Sequence, residues 1–272
     1  DLLADPAIRT RYQIWAFRYP TGDPILVSAS RFRAALAEAR KTFDPDGKSR
    51  ALRHMVVVGH SMGGLLASLQ VRASAGRLWD RVSSTPFEDL GIPEEDRAFL
   101  RPLFFFERNP DIRRVVFLAT PHRGTEMAEG FFARLGSSLV RVAGQTGSAA
   151  DALRKALSAD PGRRVPPRFL ESMTGIDGLR PDNPFLGEIV GLPFPADVAA
   201  HSILGNREAA GAPGGTDGVV PYGSAHLEGV KTERIVKSEH DVQVRPETIG
   251  ELRRILREHL AEFDAGAGKQ AP

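Results

Sequence analysis

Hydrophobic positions along this chain follow two alternating rhythms. Short runs rich in β-branched and aromatic residues occupy 12–19, 55–58, 113–119, 203–204 and 232–236. Between and after them lie stretches of helical period. Phe32, Leu36, Ala39 and Phe43 share one face of residues 31–43, and Leu65, Leu66 and Leu69 follow Ser61 in the same manner. Ile249, Leu252, Leu256, Leu260 and Phe263 form a last stripe behind Pro246, which suits a first helical turn. The short runs read as strands and the periodic stretches as amphipathic helices. Their alternation predicts an α/β fold, a mainly parallel sheet flanked by helices on both faces. Ligands bind such sheets beyond the carboxyl ends of the strands.

Residues 126–200 break this alternation with helical patterns at 131–142 and 149–157 and a proline-rich stretch. The expected division is therefore 1–125 as the first part of the core, 126–200 as a helical cap, and 201–264 as the second part of the core. Residues 265–272, small and polar, are expected to be disordered. Phe131, Phe132, Leu135, Leu139 and Val142 put an apolar stripe into the cap, a pattern that core packing explains as well as a pocket lining does.

The sharpest local pattern sits at the end of the second strand. Residues 54–66 read HMVVVGHSMGGLL, with Gly59, Ser61 and Gly63 in the spacing G-x-S-x-G. In a chain with 27 glycines that spacing alone is weak. Its context gives it weight: a β-branched strand before it and a helix after it, as a nucleophile elbow requires. Glycines at 59 and 63 are expected to let strand and helix approach closely, and the helix N-terminus favours developing negative charge.

A serine nucleophile needs a base, and the base needs an orienting acid. The chain has seven histidines. His54 and His60 flank the elbow strand, where packing, a supporting hydrogen bond or pocket lining are their roles. His259 lies on a helix with a surface-like pattern and is expected to be solvated. His240 follows the strand at 232–236 and precedes the terminal helix, which suits the base. Asp217, in the glycine-rich run GGTDGVVP, follows the strand at 203–204 and suits the acid. The chain order Ser61, Asp217, His240 is that of the α/β-hydrolases. Asp241 is badly placed to orient its own neighbour, and His122 either lines the pocket or bonds its loop backbone.

Composition narrows the remaining classes. Net charge is +2 from 36 basic and 34 acidic residues, without a basic run, which gives nucleic-acid binding no support. The absence of cysteine excludes disulfides, thiolate metal sites and a cysteine nucleophile. No pair of histidines has helical ligand spacing, so neither a metal nor another cofactor is expected. No apolar stretch reaches the length of a membrane-spanning helix, and compartment and oligomeric state are not set by the sequence.

GHSMGG, the TPHRG loop at 120–124, TDGVVP at 216–221 and SEHDVQ at 238–243 together resemble bacterial α/β-hydrolase-fold lipases and esterases. More loosely they resemble the lipase-like group that includes the GPI inositol-deacylases. The resemblance covers most of the chain and weakens in the cap. It implies an esterase or lipase-like activity on a small-molecule or lipid ester, with Ser61 as nucleophile, Asp217 as acid and His240 as base. It also implies that the Met62 amide is one oxyanion-hole donor. An amidase, thioesterase or peptidase on the same fold, or a catalytically silent binding domain, is the alternative. By the same resemblance residues 12–19 are the fourth strand. A third strand, ending in a His-Gly loop that gives the second oxyanion donor, is then missing before it, as in a chain cut at its N-terminus. The other arrangement pairs residues 12–19 directly with residues 55–58.

Overall fold

The computed structural model describes residues 1–127, 130, 146–167, 169 and 175–268. Four strands, β1 (Met55–His60), β2 (Ile112–Leu118), β3 (Ala199–Asn206) and β4 (Thr232–Lys237), form one sheet in the order β1-β2-β3-β4. Every neighbouring pair is parallel. The described helices are α1 (Pro6–Arg11), α2 (Ile25–Phe43), α3 (Met62–Ser68), α4 (Arg77–Asp80), α5 (Glu94–Phe104), α6 (Thr146–Ser158), α7 (Pro184–Gly191), α8 (Tyr222–Ala225) and α9 (Pro246–Gly268).

The apolar run of β2 makes it a central strand, because successive side chains point to opposite faces. Val115 and Phe117 pack with Val57 of β1 and with Ala67 and Val71 after the elbow. Val116 and Leu118 pack on the other face with Ile203, Val236 and the α9 residues Leu252 and Ile255. Each such buried side chain contributes roughly 1.5–3 kcal/mol relative to exposure. The result is a helix–sheet–helix sandwich with α3 and α9 on opposite sides. A larger cluster joins Leu26 of α2, Leu65 of α3, Leu103 of α5, Leu157 of α6 and Ile189 of α7. Part of the segment that interrupts the strand–helix alternation thus shares its core with the helix behind Ser61. The pattern at 131–142 lies outside the described residues.

Polar groups anchor the opposite, amino end of the sheet. Arg114 on β2 is fully buried and donates to Glu258 at 3.1 Å and Glu262 at 2.6 Å, both on α9. Burial alone would raise the Glu258 carboxyl, but hydrogen bonds and charge from Lys231 and Arg114 outweigh it and bring it down to about 2. A carboxylate lowered on folding stabilises the fold above its unfolded value and loses that contribution as protons fill it in the folded state. The thermal midpoint is therefore expected to fall as pH drops from about 4.5 toward 2. Glu258→Gln should flatten that dependence, and an unchanged acid limb would contradict the assignment.

Three sequence expectations change. Residues 12–19 form no ladder, either with β1 or with any other described strand. Their aromatic rings are used on helices instead. Tyr12 donates its hydroxyl to the Leu256 carbonyl at 2.9 Å, Trp15 meets Phe43 at 5.3 Å, and Phe17 stacks on Phe32 at 4.5 Å. Direct pairing of 12–19 with 55–58 does not occur, and β1 has one neighbour among the described residues, with Val58 44% exposed. The second change is at the C-terminus, where α9 continues through Gly268, inside the run 265–272 for which disorder is expected; residues 269–272 lie outside the described residues. Third, α2 starts at Ile25 rather than residue 31, since Ile25, Leu26 and Val27 are all buried.

Candidate active site

The carboxyl ends of β1, β3 and β4 lead into the loops that carry Ser61, Asp217 and His240. Ser61 caps α3 with φ 54° and ψ −128°, a strained backbone for a residue with a side chain. Such strain costs of order 1–3 kcal/mol and persists where surrounding structure imposes it. Its amide donates to the Leu118 carbonyl at 2.8 Å, which ties the turn to the end of β2.

Two glycines around Ser61 sit at close approaches that no Cβ could fit, and they are Gly59 and Gly64 rather than Gly59 and Gly63. A Cβ on Gly59 would lie 2.4 Å from the Gly63 carbonyl oxygen, and one on Gly64 would lie 1.8 Å from Thr120 Oγ1. At Gly63 the nearest atom would be the Tyr19 hydroxyl at 3.6 Å, an ordinary contact. The second close approach is thus between the helix and the TPHRG loop, which the serine motif alone does not reveal. Gly64→Ala forces that loop from the helix, an overpacking expected to cost about 1–3 kcal/mol or more. Chemical denaturation reads it; a change within about 0.5 kcal/mol, as at an ordinary surface site, would contradict it.

His240 Nε2 lies 2.9 Å from Ser61 Oγ, and His240 Nδ1 lies 2.7 Å from Asp217 Oδ2. All three side chains are buried. Asp217 Oδ1 is occupied separately, accepting from the Val219 amide at 2.8 Å and the Val220 amide at 2.7 Å. Those bonds aim the other oxygen at the imidazole. Gly205, near the end of β3, permits the convergence: a Cβ there would meet Asp217 Cβ at 2.8 Å, Ser238 Oγ at 2.9 Å and the Glu239 carbonyl at 3.0 Å. With Nδ1–H donated to Asp217, Nε2 is left to accept the Ser61 hydroxyl proton, the arrangement a general base needs.

The Met62 amide stands in the first turn of α3, where helix geometry leaves amides without intrahelical partners. His60 turns toward His240, donating from Nε2 to the His240 carbonyl at 2.8 Å, with the two rings 5.0 Å apart. Burial pushes the His60 imidazole down to about 4, so it is neutral across the physiological range. His122 sits edge-on to Phe117 at 4.8 Å, fully enclosed, with Nε2 unpartnered among the described residues. Burial first, then the positive charges of Arg72 and Arg123, push it down to about 3.

The remaining candidates are structural. His259 is buried rather than solvated, bonding the His54 carbonyl at 2.9 Å, because its helix face is covered by the chain around residue 54. His54 itself contacts the Arg50 carbonyl at 2.8 Å. Asp241 pairs with Arg245 at 2.7 Å on the exterior. Among the described residues no cluster of side chains suits a metal ion, and no helix is long and apolar enough to cross a membrane.

No family model matches the chain, and no curated protein matches it. Among solved structures it is similar in fold to bacterial lipases and esterases. Bacillus licheniformis lipase BlEst2 in mature form gives a TM-score of 0.45 at 14% identity, over 86% of this chain and 75% of that one. Staphylococcus hyicus lipase gives 0.41 at 14%, over 78% and 70%. Esterase B from Lactobacillus rhamnosis (HN001) gives 0.39 at 15%, over 93% and 66%. At these identities and TM-scores the likeness carries no argument about chemistry. The α/β assignment rests on the parallel sheet itself.

Proposed function

We propose that this chain is a serine hydrolase that cleaves carboxylic esters through an acyl-enzyme. The observation that carries the reading is the continuous hydrogen-bonded line Ser61–His240–Asp217, set on a strained turn between a strand and a helix. His240 Nε2 takes the Ser61 proton as Oγ attacks the ester carbonyl carbon, and the Met62 amide donates to the oxygen that becomes negative. The tetrahedral adduct collapses, the carbon–oxygen bond to the alcohol breaks, and His240 returns the proton to the departing alkoxide. Water then attacks the acyl group with His240 again as base, and Ser61 is regenerated. Asp217 stabilises the imidazolium at both stages, and His60 holds the backbone of the base in place. The chemistry draws on this chain's side chains and amides alone.

The substrate is a small-molecule or lipid ester, and residues 126–200 belong to the same proposal as a cover over the site. Short- and medium-chain p-nitrophenyl esters test it. Turnover that saturates with substrate is expected from the folded chain. No hydrolysis of any of them by a folded chain would contradict the reading.

A further inference from the structure

An oxyanion formed at Ser61 needs more than one donor, and Met62 supplies one. We infer that the phenol of Tyr19 is a catalytic residue of this site, donating its hydroxyl to the oxyanion alongside the Met62 amide. The inference rests on the serine-hydrolase reading above.

Four observations support it. The Tyr19 hydroxyl stands at the elbow, 3.6 Å from where a Cβ on Gly63 would lie, beside the first turn of the helix whose amides face developing negative charge. Gly63 carries no side chain to come between the phenol and that turn. The ring is held in place from behind: Tyr19 stacks on Phe17 at 5.7 Å and 17°, and Phe17 stacks on Phe32 of α2 at 4.5 Å. A donor fixed this way needs no reorganisation when charge develops, which is what makes oxyanion donors effective. Finally, the hydroxyl has no hydrogen-bond partner among the described residues.

The electrostatics fit the role. Burial pushes the Tyr19 phenol up to about 12, which keeps the proton on the oxygen at any pH where His240 serves as base. A residue that must donate to an anion is best kept protonated, and burial does so here without a carboxylate neighbour. Residues 12–19, outside the sheet, run toward the elbow. Their path carries the phenol to the elbow, with the aromatic rings packed along α2.

Tyr19→Phe tests the inference on the full chain, with p-nitrophenyl esters and a trifluoromethyl ketone that forms a tetrahedral oxyanion at Ser61. Loss of one oxyanion donor predicts a fall in kcat of about 10²–10³-fold, with KM within about threefold. The ketone should weaken by a comparable factor, while the thermal midpoint stays near that of the wild type. A kcat within about threefold of wild type, or a kcat loss with ketone affinity unchanged, overturns it. Ring-fluorinated tyrosine at position 19 gives a second readout that preserves the hydroxyl. It should add an alkaline descending limb to the kcat profile where the more acidic phenol ionises, and a profile identical to wild type overturns the inference. If wild type neither hydrolyses ester nor forms the ketone adduct, the hydrolase reading fails and takes this one with it. Normal wild-type turnover that is indifferent to Tyr19 defeats this one alone.

Discussion

Ester turnover by the Ser61→Ala chain is expected to fall about 10⁶-fold in kcat, to the level left by binding and oxyanion contacts alone. The loss is large because the base and acid act only through the nucleophile; without Oγ, His240 has no attacking group to activate. Stability should change little. Ser61 sits at φ 54° with its side chain buried, and alanine removes a polar group without adding volume. The variant should therefore remain folded, with a thermal midpoint at or near that of the wild type. Steady-state assays on p-nitrophenyl esters check the first expectation and thermal denaturation the second. Turnover within about tenfold of wild type, a loss of barely 1.4 kcal/mol, would remove Ser61 from the mechanism.

Asp217→Asn is expected to lower kcat about 10⁴-fold while leaving the fold intact. The two oxygens of Asp217 have different partners. Oδ1 accepts from the amides of Val219 and Val220, and Oδ2 faces His240 Nδ1. An asparagine keeps its carbonyl oxygen toward the two amide donors, because its own NH₂ there would oppose two N–H groups. Its NH₂ then faces His240 and demands an acceptor at Nδ1. The imidazole proton moves to Nε2, where it blocks acceptance from Ser61. The defect should be in kcat, with little change in KM. Wild-type kcat in this variant would mean that another group orients the base.

The sequence made the main lines of this site legible because the strongest signals are local. The apolar run of β2 marks a strand buried on both faces, and the β-branched run at 55–58 marks β1, which is buried on one face only. The strand–serine–helix order places Ser61, and chain order leaves Asp217 and His240 beyond later strands. What escaped is tertiary. The aromatic run at 12–19 has the composition of a strand, but that composition reports a half-buried surface, and its rings found that surface on α2 and α9. His259 looked solvated because helical periodicity does not reveal that the chain near His54 covers that face. The motif pointed to Gly63 because it is written around Ser61, whereas the tight contact of Gly64 is with Thr120, which no spacing near residue 61 encodes. Gly205 was likewise invisible, since its neighbours Asp217 and Ser238 converge only in three dimensions.

The most direct test of the account is the intact mass of the chain after reaction with a fluorophosphonate, followed by mapping of the modified peptide. A single phosphonyl adduct on Ser61 is expected, absent when Ser61→Ala is treated in parallel. A folded chain that takes up no adduct, or carries it on another residue, would contradict the claim that Ser61, His240 and Asp217 form an activated nucleophile.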